Sequence, residues 1–259
     1  MLILLPPSEG KATPTRGKQL DLETLGFASL TQARRVALDA LVDLCSDAPT
    51  EAAKVLGLGP TQADDVRRNA ALPTARTTRA DALYTGVLYD HLDVASLDTA
   101  ARGRATRWLA ITSSLFGLVR PGDRIPAYRL SGDANLPGLG VVSAHWRGVL
   151  DPVVREAAGS GLVIDLRSTT YASFWRPSPD LACRVATVRV LQQVGDQRKV
   201  VSHFNKATKG RLVRALLEAG SNPTRPPALA DVIADLGWKV ELGSPGRHGQ
   251  QLDVVVEEL

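Results

Sequence analysis

Trp108–Leu130, WLAITSSLFGLVRPGDRIPAYRL, concentrates the chemistry of this chain and sets its fold class. Trp108 to Thr112 is an apolar run of strand length, and Ser113 or Ser114 can cap a short helical turn over Leu115 to Val119. Arg120 then meets Pro121-Gly122-Asp123, a strong stop. Proline presets the backbone angle at the turn's second position, and glycine or aspartate tolerates the next. The chain leaves extended through Ile125 to Leu130, so Arg120, Arg124, Tyr128 and Arg129 crowd into one loop region. Two readings of these cations stand side by side. One is a solvated loop with scattered arginines. The other is an anion-binding rim, because arginine's planar fork suits phosphate and carboxylate oxygens and an adjacent tyrosine can donate a hydrogen bond or stack on a base.

Working outward, Leu2 to Leu5 reads as a buried strand ended by Pro6-Pro7. Gly10-Lys11 invites a phosphate-loop reading, but the earlier glycine is absent, Ala12 stands where Ser or Thr belongs, and no helical pattern follows. What remains is a lysine past a central strand, where open α/β sheets place ligands. Leu162 to Leu166 is a second compact strand with Arg167-Ser168-Thr169-Thr170-Tyr171 beyond it, so Arg167 shares an edge with Lys11 if the two strands run parallel. Arg184 to Val194 and Val200 to Ser202 suggest a strand pair around Gly195-Asp196, and Trp238 to Leu242 with Leu252 to Val256 suggest another around a Gly-rich turn. An opening strand, a helical third and a strand-rich end predict an α/β fold: one compact domain over 1–259, with a central mixed sheet flanked by helices.

Of three helical stretches, two bear on function. Ser29 to Cys45 is amphipathic, with Ser29 as its cap, and is packing. Thr50–Asn69, TEAAKVLGLGPTQADDVRRN, reads as a helix, a Gly57-Leu58-Gly59 reversal and a second helix launched by Pro60. As a helix-hairpin-helix subdomain it would let nucleic-acid backbone approach Gly57 and Gly59. Amides near Thr61 would then hold a phosphate, and Lys54, Arg67 and Arg68 would add flanking charge. A plain helical hairpin accounts for the same residues, and Asp64-Asp65 opposes the charge. In His203–Ala219 the apolar face is set by Leu212, Val213, Leu216 and Leu217, and helical spacing puts Lys209 at its centre with Lys206 beside it. Either their stems reach out to water, or they project into a cleft that holds an anion.

Composition narrows the classes. Lys and Arg number 31 against 27 Asp and Glu, a net charge of +4 that favours an acidic partner without demanding one. No apolar run approaches membrane-spanning length and no secretory leader is visible, so the expectation is a cytoplasmic protein with no membrane contact. Cys45 and Cys183 sit in apolar settings and read as buried free thiols, and the four histidines lack ligand spacing. No metal and no cofactor is expected, and the chain is expected to be a monomer.

Several of these stretches resemble the YaaA family of bacterial peroxide-stress proteins: LILLPPSEGK at the start, LYTG at Leu83–Gly86, SSLFGLVRPGDRIPAYRL at Ser113–Leu130, VIDLRSTTY at Val163–Tyr171 and VSHFNKATKGRLVRALLE at Val201–Glu218. The resemblance covers nearly the whole length. It implies a compact mixed sheet with a helix-hairpin-helix element and a basic cleft, binding to double-stranded DNA, and a role in limiting oxidative, iron-dependent damage. By position, Lys11, Tyr128, Arg129, Lys206 and Lys209 would line the cleft, and Gly57 and Gly59 would form the hairpin. Many members open with Ser-Pro-Ala-Lys where this chain has Pro-Pro-Ser-Glu-Gly-Lys. The competing expectation is an enzyme acting on an anionic small molecule or a damaged nucleotide, with Lys11 or Lys206 as the catalytic amine. No paired carboxylates or Ser-His-Asp order points to hydrolysis.

Overall fold

Leu2, Ile3, Leu4 and Leu5 are fully buried, as an apolar run without alternation requires of a strand covered on both faces. The computed structural model describes residues 1–194, 197–199 and 202–257. Its main sheet is built from β1 (Leu2–Leu5), β2 (Leu109–Ser113), β3 (Gly117–Val119), β4 (Val163–Asp165), β5 (Val185–Val194), β6 (Gln197–Lys199), β7 (Lys239–Gly246) and β8 (Gly249–Glu257). The order across it is β7-β8-β5-β4-β1-β2-β3, with β6 pairing back on β5. From β8 to β2 the neighbours are parallel, and β7, β3 and β6 add antiparallel pairings. The mixed sheet flanked by helices is as the sequence predicts.

The helices that matter below are α1 (Thr31–Asp47), α2 (Pro49–Val55), α3 (Ala63–Ala70), α4 (Val87–Leu92), α5 (Thr99–Trp108), α6 (Leu150–Ala158), α7 (Ser202–Ala219) and α8 (Pro226–Asp235). One hydrophobic cluster joins the apolar faces of α1, α6, α7 and α8 to the sheet. Helix α1 starts two residues later than the sequence suggests, after a 3-10 turn at Ala28–Leu30, so Ser29 is not its cap.

The expected helical turn over Leu115 to Val119 is instead a tight return into β3. Gly117 takes φ +72°, open to glycine, and Ser113 Oγ accepts the Phe116 N–H at 3.0 Å. The pairing of Ile111 with Val119 then outweighs any local helical preference. Further along, an antiparallel pair around Gly195-Asp196 is present, but its second strand is β6 and not Val200 to Ser202: Ser202 opens α7, and Gly195-Asp196 and Val200-Val201 lie outside the described residues. Cys45 is buried as expected, but Cys183 is exposed. It follows the four-residue helix Pro179–Ala182, whose packed side is taken by Leu181 and Ala182. Among the described residues no helix is long and apolar enough to cross a membrane.

This topology marks a candidate place for a ligand. From β1 the chain moves to β2 on one side, and from β4 it moves to β5 on the other, so the connections part between β1 and β4. In open α/β sheets the crevice beyond the carboxyl ends at such a point is the usual binding place.

Candidate functional site

Lys11 reaches that crevice on the segment leaving β1. Its backbone bridges to Tyr84, flanked by bonds from Ala12 N to Leu83 O (2.8 Å) and from Thr85 N to Gly10 O (3.2 Å). The ammonium donates to Ser8 O at 3.0 Å and stands 4.5 Å from the ring centre of Tyr128 and 5.7 Å from that of Tyr84. Burial and the neighbouring Arg129 charge pull Lys11 down to about 8, against the opposing pull of Glu9 and Asp65. Beneath it the Tyr128 hydroxyl lies 2.8 Å from Ser113 Oγ and 2.9 Å from the Tyr84 hydroxyl. Burial holds both phenols above their ordinary value, so this network stays neutral and supplies Lys11 with no counter-charge.

Arg129 approaches from the arm that follows Pro126. Asn69 of α3 holds its backbone from both sides: Arg129 N donates to Asn69 Oδ1 at 2.9 Å and Asn69 Nδ2 donates to Arg129 O at 2.7 Å. The guanidinium faces the Glu9 carboxylate at 4.0 Å, and the Glu9 side chain is 90% exposed. An ion pair that long and that wet contributes little, so the Arg129 charge stays available.

At the end of β4 the arrangement is different. The Asp165 carboxylate accepts Arg167 Nε at 2.9 Å and Nη2 at 2.7 Å, while the other Arg167 donors go to Tyr171 O (3.0 Å) and Trp175 O (2.8 Å). Burial pushes the Asp165 carboxyl up, but the Arg167 charge and hydrogen bonds, helped by Lys209, outweigh it and hold it below its ordinary value. Lys209 is buried on α7 and donates to Leu166 O at 2.9 Å; burial lowers it to about 8 against the pull of Asp165.

The structure therefore brings Lys11, Tyr128 and Arg129 together and seats Lys209 at the adjacent strand end. Lys206 is exposed, one turn earlier on the same helix. Three expected members of the cleft are corrected. Arg167 is in the predicted loop, but its fork is buried and occupied by Asp165 and two carbonyls. Arg120 lies at the far end of β2, donating to Arg107 O (2.9 Å) and Leu109 O (3.0 Å) with its guanidinium 4.3 Å over the Phe27 ring. Arg124 is turned onto Thr77 O at 3.0 Å. The physical reason is direction: β3 runs antiparallel to β2, so it carries the chain back to where β2 began, and only the arm to Tyr128 returns it to the crevice.

The 50–69 stretch folds as helix, glycine turn and helix. Gly57 takes φ +63°, and bonds from Gly57 N to Lys54 O (3.0 Å) and Leu58 N to Ala53 O (2.8 Å) close α2 with a left-handed glycine cap. A Cβ at Gly57 would meet nothing within 4 Å, and at Gly59 only the Gln62 carboxamide, whose oxygen accepts Gly59 N at 3.0 Å. Thr61 is exposed in the 3-10 turn Pro60–Gln62 that leads into α3. Lys54 pairs with Glu51 at 3.5 Å, Arg67 with Asp64 and Arg68 with Asp65, each on its own helix. Those carboxylates reduce the positive charge the sequence suggests for this hairpin.

Sequence reasoning missed Asn69 and Asp165. Asn69 was findable as a polar residue three positions after the buried Val66, hence on the packed side of α3. Asp165 carried a signal too, a carboxylate inside an apolar strand. A neighbouring hollow of about 560 Å³ shares Tyr84 with the cleft and is also lined by Tyr89, which stacks on Tyr84. There Arg79 is occupied by Asp81, and Arg102 by Ala95 O and Leu97 O, which leaves Asp90 and Asp93 in its lining and suits it poorly to an anion. Among the described residues no group of three His, Cys, Asp or Glu could hold a metal ion.

The family model described as peroxide stress protein YaaA matches residues 1–241. A UPF0246 protein of Streptomyces coelicolor is 51% identical, with 100% of both chains covered. UPF0246 proteins of Corynebacterium glutamicum and Corynebacterium efficiens are 43% and 40% identical, over 99% and 93% of this chain and 100% and 95% of theirs.

Proposed function

Because the chain belongs to the peroxide stress protein YaaA family, we propose that it serves the peroxide response by gripping the phosphates of double-stranded DNA, thereby limiting oxidative, iron-dependent damage. The Lys11–Arg129 cleft is the main contact and the glycine turn at Gly57–Gly59 the second. The observation that carries this reading is the under-compensated charge of Lys11 and Arg129: two cations at the crevice of an α/β sheet, beside neutral phenols, with the distant, exposed Glu9 and the Arg68-paired Asp65 as their nearby carboxylates. Such contacts read charge and not base edges, so little sequence preference is expected.

Salt titration tests it. Duplex affinity should fall steeply with salt, and Arg129→Ala should reduce the slope of log K against log salt by roughly 0.9, the loss of one phosphate contact. Equal affinity at low and high salt would end the proposal. The pH dependence has a definite sign: Lys11 carries its charge below about 8 and loses it above. Affinity should therefore weaken as pH rises through that value, and Lys11→Met should flatten the profile. A profile unchanged by the substitution would remove Lys11 from the contact.

One observation favours a second reading. A partly buried amine at about 8 is partly unprotonated near neutrality, as attack on a carbonyl requires. The nitrogen would add to the carbonyl carbon, water would leave, and borohydride would reduce the resulting C=N bond to a stable amine. Trapping on an aldehyde-bearing duplex should occur in the wild type and vanish in Lys11→Ala. Persistence of trapping in that variant would move the chemistry to another amine, the exposed Lys206 being the other candidate.

A further inference from the structure

The hollow on the other side of Tyr84 takes no part in the cleft, yet its volume of about 560 Å³ is that of a small-molecule site. Its walls come from the Arg79–Thr85 segment, from α4 and the turn after it, and from Arg102 of α5. Tyr84 and Tyr89 stack there with ring centres 5.6 Å apart. Both hydroxyls are already committed, at 2.9 Å to the Tyr128 hydroxyl and at 2.7 Å to Pro6 O. What the two residues still offer a ligand is ring surface, which suits an alkyl chain and attracts a cation.

The charges around the hollow do not cancel, because three carboxylates line it against two arginines. Arg79 is closed by both oxygens of Asp81, at 3.0 and 2.6 Å. Arg102 is turned onto Ala95 O and Leu97 O, at 2.8 and 2.9 Å. Arg214 stands 4.0 Å from the Asp93 carboxylate and makes its closer pair, at 2.9 Å, with Glu218. Asp90 has no ion-pair partner among the described residues. The Asp93 backbone is also held in place: φ is +39°, uncommon for a residue other than glycine, and Ser96 N, Ser96 Oγ and Arg214 Nη1 all donate to its carbonyl.

We infer that this hollow is a second binding site, one for an organic amine, with an ammonium group set between Asp90 and Asp93 and its alkyl chain laid along the tyrosine rings. A bare metal ion would leave most of the space empty, and among the described residues no group of three His, Cys, Asp or Glu could hold one. An anion would meet the excess of carboxylates. The inference does not depend on the DNA reading.

Equilibrium dialysis of the full-length protein against labelled putrescine tests it, with nucleic acid absent so that the amine has no other polyanion to bind. One saturable site is expected, and butanediol, the neutral analogue of the same length, should compete roughly tenfold less well or worse. Asp90→Asn and Asp93→Asn should each weaken binding by roughly two- to fivefold, the loss of one exposed ion pair. Asparagine tolerates the left-handed conformation, so Asp93→Asn keeps the turn. Ala95→Trp, at an exposed position on the wall, should fill the hollow and abolish binding with every charge still present. Binding that survives Ala95→Trp, or that magnesium chloride displaces as readily as unlabelled putrescine does, would reveal attraction to surface charge alone and overturn the site. Absence of saturable binding in the wild type overturns it too, whatever the duplex titrations return.

Discussion

Replacing Arg167 by alanine should destabilise the fold by about 3–5 kcal/mol, the range for removing one partner of a buried ion pair. The side chains of Arg167 and Asp165 are 2% and 8% exposed, and the guanidinium also satisfies two carbonyls. Its loss strands a carboxylate and two acceptors beside the cleft. Arg167→Lys should rescue little, since an ammonium cannot span the carboxylate and both carbonyls at once. Denaturant melts give the magnitude, and pH gives a diagnostic sign. In the wild type the folded Asp165 carboxyl lies below its ordinary value, so its contribution is complete above the unfolded value and is lost as pH falls through the folded one. In Arg167→Ala burial is no longer outweighed and the carboxyl rises. The variant should then gain stability, relative to wild type, on going from neutral pH to about pH 4, near the ordinary carboxyl value. A loss below about 1 kcal/mol, the scale of an exposed pair, would show that the pair is not buried in the way described.

Gly210→Ala should cost at least 1–3 kcal/mol and disturb the cleft as well. Gly210 is where α7 crosses α4: a Cβ there would lie 2.3 Å from Leu88 O, 2.9 Å from His91 Cβ and 3.1 Å from Leu92 N. Two of these obstacles are backbone atoms and cannot swing aside. Alanine's better helix propensity returns only about 1 kcal/mol, so the collision decides the sign. Helix α7 must back away, and Lys209, the preceding residue, moves with it from Leu166 O. Thermal melts and duplex titration together check this. A variant as stable as wild type would mean that the helices do not approach so closely.

The parts of the fold that were legible are those governed by local pattern. Leu2–Leu5 is an unbroken apolar run because a central parallel strand is covered on both faces, and Lys209 stands out because a helical period of 3.6 puts it on a packed face. Tyr128 and Arg129 were visible through the Pro121-Gly122 stop that frees the arm. What the pattern hides is direction and partnership. Gly117–Val119 is a strand only because β2 lies beside it, and that reversal sends Arg120 to the wrong end of the sheet. Arg167 looks like a free cation until its fork is seen to be filled by Asp165. Asn69 serves a residue that no local window contains. Cys183 follows an apolar stretch, yet its neighbours rather than its own side chain take the inward positions.

The central strand precedes both of its neighbours in the chain, so its two edges wait for Leu109 and Val163. Until both have been synthesised it is a greasy ribbon with an open flank, the kind of surface that holdase chaperones recognise and that aggregates when left alone. A message truncated before Lys209 would yield a chain able to pair its core strands but lacking the last cation beside the crevice. Expression yield should therefore depend on elongation speed and chaperone supply more than the finished molecule's stability would suggest.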